Sequence, residues 1–185
     1  MMLEPTRDYN RYPQQLGKKM IFLAWVVLLA FLSWIFSLYL ERQRNPNTLV
    51  QGYSSGTPQE VVLERNRYGH YIADGQINGR PVTFILDTGA TMVDVPGRLA
   101  IRLSLPQGLS LTASTANGDI TVYSTILDEV QLGGIRLTGV QASINPSMQE
   151  DEILLGMSFL KRLDFSQQGD RLTLRQHIAP ATADK

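Results

Sequence analysis

Cysteine is absent from this sequence of 185 residues, and histidine occurs only twice, at His70 and His177. Without cysteine the chain has no disulfide and no thiolate to serve as a nucleophile or metal ligand, and the redox compartment stays undetermined. Two histidines far apart in the sequence argue against a histidine-rich metal centre, so we expect neither a metal nor another cofactor. Net charge is also lacking, because 17 Lys and Arg balance 17 Asp and Glu. We therefore expect no general attraction to nucleic acid.

The longest apolar segment, residues 20–40 (MIFLAWVVLLAFLSWIFSLYL), carries no charged side chain. As a helix it would rise about 30 Å, at roughly 1.5 Å per residue, which matches the hydrocarbon core of a bilayer. A cleaved signal peptide has a shorter apolar core followed by a small-residue cleavage site. A buried helix of a soluble protein has a polar stripe. The segment has neither feature, so we predict a single transmembrane helix that contacts the lipid bilayer.

Positive charges flank this predicted helix unequally. Four precede it and two closely follow it: Arg7, Arg11, Lys18 and Lys19 before, and Arg42 and Arg44 after. Because positively charged flanks stay on the cytoplasmic side, the asymmetry predicts a cytoplasmic tail at residues 1–19. The chain from residue 41 onward is then expected outside the cytoplasm.

Composition changes divide the remainder of the chain. Residues 41–58 are rich in Asn, Gln, Ser, Gly and Pro without an apolar period, which predicts a flexible linker. Residues 59–176 contain short, β-branched apolar runs separated by turn signals, which predicts an all-β domain. Residues 177–185 are interpreted as a C-terminal tail.

Local patterns indicate individual elements of the β domain. Three pairs tolerate positive φ and predict hairpins: Asn78-Gly79, Asn117-Gly118 and Gly133-Gly134. The run EILLG at residues 152–156 is typical of a strand buried on both faces. MSFLKRL at residues 157–163 has helical spacing and predicts one short helix, and DRLTLRQ at residues 170–176 alternates like a closing strand.

The stretch FILDTGATMVDVP, residues 84–96, places an aspartate directly after an apolar run. One interpretation is an ordinary turn, in which Asp87 bonds to the backbone and Gly89 supplies an unusual φ. The apolar run before the aspartate and the small residues after it favour a carboxylate that backbone amides approach closely. Enzymes that form an aspartyl-phosphate use a second acid two residues later, or Lys-Thr-Gly after the aspartate. Gly89 occupies the position of that second acid, which argues against phosphoryl transfer.

Two motifs and the hairpin between them resemble the retropepsin-like aspartic peptidases. The motifs are ILDTGAT at residues 85–91 and ILLG at residues 153–156, and the Asn117-Gly118 hairpin takes the place of the family's flap. ILLGMSFLKRLDF followed by DRLTL is similar to the bacterial membrane-anchored branch. The resemblance implies an all-β, closed barrel or sandwich protomer with one short helix, preceded by the transmembrane helix. It also implies the bacterial inner membrane, with the domain at residues 59–176 in the periplasm.

The resemblance assigns roles to individual residues. Asp87 would be the catalytic carboxylate, and because the sequence holds a single Asp-Thr-Gly, the second would come from another copy in a homodimer. The active-site loop would comprise Thr88, Gly89 and Ala90, with Thr88 bonding across the two-fold axis and Gly89 offering its amide to the carboxylate. The flap that covers a polypeptide substrate would comprise Ala116, Asn117 and Gly118. Gly156 would allow close backbone approach beneath the loop.

Alternatives remain open from sequence alone. The leading hypothesis is a membrane-anchored aspartic endopeptidase. A non-catalytic module that uses the same fold for peptide binding or dimerisation is the second, and a structural assembly or anchor protein is the third. One departure from viral relatives is Met157, which stands where they carry an arginine that supports the dimer.

Overall fold

The computed structural model of the chain describes residues 11–48, 59–115 and 118–176, and of residues 11–16 only the backbone. Internal contacts divide the chain into two units, Met1–Arg42 and Gln43–Lys185. The first unit is dominated by helix α1, which runs from Arg11 to Arg44. Its segment Gly17–Arg44 is long and apolar enough to cross a membrane, with a mean hydropathy of 2.5, and its large side chains are exposed. A membrane anchor and a signal sequence both meet this test.

The second unit contains ten strands and two short helices in its described part. In chain order they are β1 (Gln59–Glu64), β2 (Ile72–Ile77), β3 (Arg80–Leu86), β4 (Val93–Pro96), α2 (Gly97–Arg102), β5 (Ser110–Thr115), β6 (Gly118–Leu132), β7 (Ile135–Asn145), β8 (Glu152–Leu155), α3 (Met157–Leu160), β9 (Asp164–Gln168) and β10 (Arg171–Gln176). The all-β prediction for residues 59–176 is therefore confirmed.

Six of the strands close into a barrel. Hydrogen bonds join them in the order β2-β3-β8-β4-β7-β6, and pairing between β2 and β6 completes the ring. Strand β5 extends beyond the ring and pairs with β6. Strands β1, β10 and β9 form a separate sheet of three strands. The closed barrel removes most of the unpaired strand edges that an open sheet would leave.

The core consists of alternate residues of the barrel strands. Phe84 on β3, Ile153 on β8 and both valines of β4 are fully buried, whereas Ile85 and Leu154, one position along, are only half-buried. Successive side chains of a strand point to opposite faces, so these strands have one core face and one partly exposed face.

Two of the predicted hairpins are described in full, and each has a residue with positive φ at its turn. At the β2–β3 turn, Asn78 has φ 50° and Gly79 has φ 76°, so both occupy the left-handed region that this turn requires. At the β6–β7 turn, Gly133 has φ 55°. The third hairpin joins β5 and β6, and Gly118 at the start of β6 has φ 108°. Ala116 and Asn117 lie outside the described residues.

Some elements differ from what the sequence pattern indicated. A second short helix, α2, follows β4, because the chain turns after Pro96 and buries Leu99 and Ala100. This segment is too short for its periodicity to be distinguished from that of a strand. Helix α3 has a single turn and ends at Leu160, because the amide of Leu163 donates to the carbonyl of Leu160 and the chain then enters β9.

The segment between α1 and β1 begins with residues that contact the domain. Helix α1 extends to Arg44, and the buried side chain of Asn47 bridges two strands. Its Nδ2 donates to the carbonyls of Glu64 (2.9 Å) and Ile72 (2.7 Å), while its Oδ1 accepts from the amide of Glu64 (2.7 Å). Residues 49–58, most of the predicted flexible linker, lie outside the described residues. The domain boundaries therefore stay predictions.

Candidate active site

The end of strand β3 places Asp87 at the rim of the barrel. Strand β3 runs parallel to β8, with Leu86 beside Leu155, and the amide of Asp87 donates to the carbonyl of Leu155 at 3.2 Å. Phe84 is fully buried and Leu86 packs against the core, so the backbone of Asp87 is held by a strand anchored in the core. Its side chain is half-buried. A carboxylate at this point is fixed in place and still open to solvent on one side.

The loop after Asp87 binds the carboxylate through the backbone. The amide of Gly89 donates to Oδ1 of Asp87 at 2.8 Å, and the amide of Ala90 donates to the backbone carbonyl of Asp87 at 3.3 Å. A hydrogen bond from a backbone amide to a carboxylate is charge-assisted and stronger than one between neutral groups. A Cβ atom at Gly89 would lie 3.1 Å from Oδ1, so a larger residue would crowd the carboxylate. Thr88 and Gly89 are exposed, and Ala90 is half-buried.

The second motif supports this loop from below. A Cβ atom at Gly156 would lie only 2.2 Å from the carbonyl oxygen of Met92 and 2.6 Å from that of Ala90, so only glycine fits. The amide of Met157 donates to the carbonyl of Ala90 at 2.8 Å, which links the start of α3 to the loop after Asp87. The two motifs, far apart in the sequence, are thus in direct backbone contact.

Ser158 joins the loop to the neighbouring strands, and the sequence analysis did not identify it. Its amide donates to the carbonyl of Thr91 at 3.0 Å. Its hydroxyl donates to the carbonyl of Gln141 at 2.7 Å and accepts from the amide of Val93 at 3.0 Å. A buried hydroxyl inside the apolar run MSFL was the available signal, since such a group requires partners.

Most other acids of the domain are engaged away from this loop. Their partners are side chains: Asp74 accepts from Asn45 and Thr83, Asp94 from Ser143 and Asn145, Asp119 from Ser114, and Asp128 from Asn78. Within the described ranges no group of three or more His, Asp or Glu side chains is arranged to hold a metal ion. Asp87 is therefore the carboxylate that the loop presents.

Comparison with known proteins identifies the architecture. A family described as "gag-polyprotein putative aspartyl protease" matches residues 73–162. An uncharacterised protein of a Sinorhizobium species is 33% identical over 121 residues, which cover 63% of this chain and 52% of that protein. An uncharacterised protein of Rickettsia prowazekii is 25% identical over 142 residues, 75% of this chain and 61% of that protein. The chain thus spans between half and two thirds of the length of these relatives.

A solved structure decides the fold. The crystal structure of a retropepsin-like aspartic protease from Rickettsia conorii superimposes with a TM-score of 0.57 and 28% identity, over 64% of this chain and 92% of that one. The barrel has a retropepsin-like fold. The resemblance carried by ILDTGAT and ILLG is confirmed at this level, and it is a resemblance to a bacterial protein.

The β5–β6 hairpin of the retropepsin-like domain is exposed along most of its length. Its last described pair is Thr115 with Gly118, where the hydroxyl of Thr115 donates to the carbonyl of Gly118 at 2.8 Å. Ser114 donates to Asp119 at 2.7 Å across the same hairpin. Among the described strands β5 pairs with β6 alone, so the hairpin projects beyond the closed ring. The role of Gly118 in a flap stays a prediction, as do the roles of Ala116 and Asn117.

An apolar hollow lies beside the Asp87 loop of the retropepsin-like domain. Its volume is about 290 Å³, and Asp87 and Thr88 are among the residues that line it. The remaining lining is mainly apolar: Tyr71, Leu86, Leu160, Phe165, Leu172 and Leu174. The buried hydroxyl of Tyr71 has no hydrogen-bond partner among the described residues. The loop that carries Asp87 is therefore continuous with a partly uncovered apolar surface.

Proposed function

We propose that this protein is a membrane-anchored aspartic endopeptidase, in which Asp87 of each of two subunits forms the catalytic pair. The observation that carries the proposal is the geometry of Asp87. It stands at the end of a core strand, receives the amide of Gly89 and keeps one side open. A turn whose aspartate served only the backbone would not require a loop of small residues braced by Gly156.

The chemistry follows from two carboxyl groups that share one proton. Two acids a few Å apart do not both ionise readily, so one is a carboxylate while the other holds the proton. The carboxylate takes a proton from water as the water oxygen attacks the scissile carbonyl carbon, and the acid donates its proton to the carbonyl oxygen. The resulting gem-diol collapses as the newly protonated carboxyl gives its proton to the peptide nitrogen, the other carboxylate takes a proton from a hydroxyl of the gem-diol, and the C–N bond breaks. The pair ends with one proton, ready for another cycle.

The exposed loop and the adjoining hollow support a homodimer. Thr88 and Gly89 are exposed, and the apolar hollow beside them would be covered by a second copy docked across a two-fold axis. Burial of such apolar surface contributes roughly 25 cal/mol per Å², which would help two subunits to associate. A single copy of the chain provides one Asp-Thr-Gly, so the proposed monomer is inactive.

The projecting β5–β6 hairpin supports a polypeptide as substrate. An extended peptide can bond to the exposed backbone of such a hairpin while alternate side chains enter pockets. Closure over the peptide would exclude bulk water from the carboxylates. This part of the proposal includes Ala116, Asn117 and Gly118 as the flap.

Residues 20–40 are proposed to anchor the enzyme in the bacterial inner membrane, with the domain in the periplasm. The exposed apolar helix and the excess of cations before it support this arrangement. Confinement to a membrane raises the effective concentration of one copy around another, which favours pairing. A reporter fused to either end, scored for periplasmic or cytoplasmic activity, tests the orientation.

A mixing experiment tests the proposed catalytic pair. The full chain in detergent should cleave an unfolded polypeptide, and Asp87→Asn should abolish cleavage, whereas the surface variant Asp128→Asn should not. When wild type and Asp87→Asn are coexpressed in equal amounts, about one quarter of the activity should remain, since only pairs of two wild-type subunits are active. About one half would show that each subunit acts alone. Peptide binding by the wild type without any turnover would instead favour a non-catalytic module.

A further inference from the structure

The register of the barrel strands places Asp94 on the same face of the sheet as Asp87. Ile85 of β3 pairs with Leu154 of β8, and Leu154 pairs in turn with Asp94 of β4. Paired residues on neighbouring strands point to the same face, and residues two apart in a strand do as well. Ile85 and Asp87 therefore share their face with Leu154 and Asp94. The opposite face holds the fully buried side chains of the core.

The two aspartates are separated by a distance that a peptide side chain can span. Strand β8 lies between β3 and β4, which puts Asp94 about 10 Å across the sheet from Ile85. Asp87 lies two residues further along, so the two aspartate backbones are about 12 Å apart. Side chains on one side of an extended peptide recur every 7 Å or so. A residue one or two positions from the scissile bond would therefore reach Asp94.

The carboxylate of Asp94 is held in a fixed orientation by neutral donors. Ser143 Oγ donates to Oδ1 at 2.8 Å, and Asn145 Nδ2 donates to Oδ2 at 2.9 Å. Both donors are buried, and Asn145 is itself held by the amide of Ser147 at 2.9 Å. Asp94 is half-buried. Each of its oxygens has a further lone pair, which leaves room for another donor.

No cation of the described part of the chain neutralises Asp94. The ion pairs in this region involve Arg98, which contacts Asp151 at 3.8 Å and the carbonyl of Gln149. The described residues place no Lys or Arg within ion-pair distance of Asp94. An oriented negative charge without a counter-ion, on the face that carries the catalytic carboxylate, is suited to a cationic side chain from outside.

The face continues from Asp94 into a second hollow. Ser143 pairs with Ser124 of β6, and Gln141 pairs with Ile126, so this face extends across β7 and β6. A hollow of about 530 Å³ lies there, with Met92 and Leu111 among its lining residues. A peptide that crosses the sheet would therefore contact the charged side chain of Asp94 next to this largely apolar hollow.

We propose that Asp94 is a specificity-determining residue that binds a lysine or arginine side chain of the peptide substrate, one or two residues from the scissile bond. The inference rests on the proposed function, because it assumes that peptides bind beside Asp87. It goes further in naming the class of peptide: basic at one position and apolar next to it.

Matched peptides test this role. Lysine, norleucine and glutamate are compared at each of three positions on either side of a cleavage site, with the full chain in detergent. At one position the wild type should prefer lysine over norleucine by about tenfold in kcat/KM, because a charged hydrogen bond is gained. Asp94→Asn should remove that preference and improve cleavage of the glutamate peptide relative to the norleucine peptide. Asp170→Asn, a surface change of the same charge, should keep the preference.

A binding measurement separates failure of this inference from failure of the proposed function. Fluorescence anisotropy of the lysine and norleucine peptides is compared on Asp87→Asn and on Asp87→Asn/Asp94→Asn, neither of which needs to cleave. Tighter binding of the lysine peptide to the first protein but not the second supports the role of Asp94, even without turnover. If wild-type protein binds and cleaves the lysine and norleucine peptides equally at every position, the proposed role of Asp94 is refuted. That outcome does not depend on whether the Asp94 variant folds.

Discussion

Substitution of Gly156 by alanine should damage the domain far more than one methyl group normally does. The added carbon would lie 2.2 Å and 2.6 Å from the carbonyl oxygens of Met92 and Ala90, which are backbone atoms and cannot rotate away. Overpacking of this kind costs about 1–3 kcal/mol. Relief would separate the loop from α3 and break the bonds that Ala90 and Thr91 accept, at about 1 kcal/mol each. The expected loss is therefore about 3–5 kcal/mol.

Thermal denaturation followed by circular dichroism measures this loss. A domain of this size loses roughly 4 °C of Tm or more per kcal/mol, so Gly156→Ala should melt about 12–20 °C below wild type. Gly139→Ala is the matched control: its Cβ meets nothing within 4 Å, and only its φ of 60° penalises a side chain. The control should cost about 1–2 kcal/mol. If the two variants melt at the same temperature, contact between the second motif and the Asp87 loop is not what requires glycine at position 156.

Three further outcomes follow. Ser158→Ala removes one hydroxyl that serves both Val93 and Gln141, and urea denaturation should show a loss of about 2–3 kcal/mol, against less than 1 kcal/mol for the exposed Ser114→Ala. Asn47→Ala removes three hydrogen bonds and should lower the free energy of unfolding by about 2–3 kcal/mol in urea. A loss below about 0.5 kcal/mol would show that Asn47 does not bind Glu64 and Ile72 in solution. The rate of cleavage should follow a bell-shaped pH profile. It should fall in acid, where the Asp87 pair takes up a second proton, and in base, where the pair loses the shared proton. A rate that changes on one side of the profile alone would contradict a shared proton.

Local features of the fold were predictable because a few adjacent residues determine them. The Asn78-Gly79 turn depends on two residues that tolerate positive φ, and both adopt it. Strand β3, which ends just before Asp87, was predicted from three apolar residues, and the closing strand β10 from its alternation. The roles of Thr88 and of the flap came from resemblance and stay predictions. Helix α2 was missed because six residues are too few to establish a helical period.

Contacts between distant segments were not predictable in the same way. Ser158 reaches Val93 and Gln141 only because α3 lies under β4 and β7, and no single window of sequence contains that information. The same holds for Asp94, whose surroundings in the sequence look like an ordinary strand. A shift of one residue in the pairing of β4 with β8 would turn its side chain into the core. The parallel pairing of β4 with β7 provides Ser143 as a donor at 2.8 Å, and this donor fixes the carboxylate on the outer face. The strand register therefore determines whether Asp94 lies on the same surface as Asp87. A preference for the lysine peptide over the norleucine peptide that depends on Asp94 would test this placement.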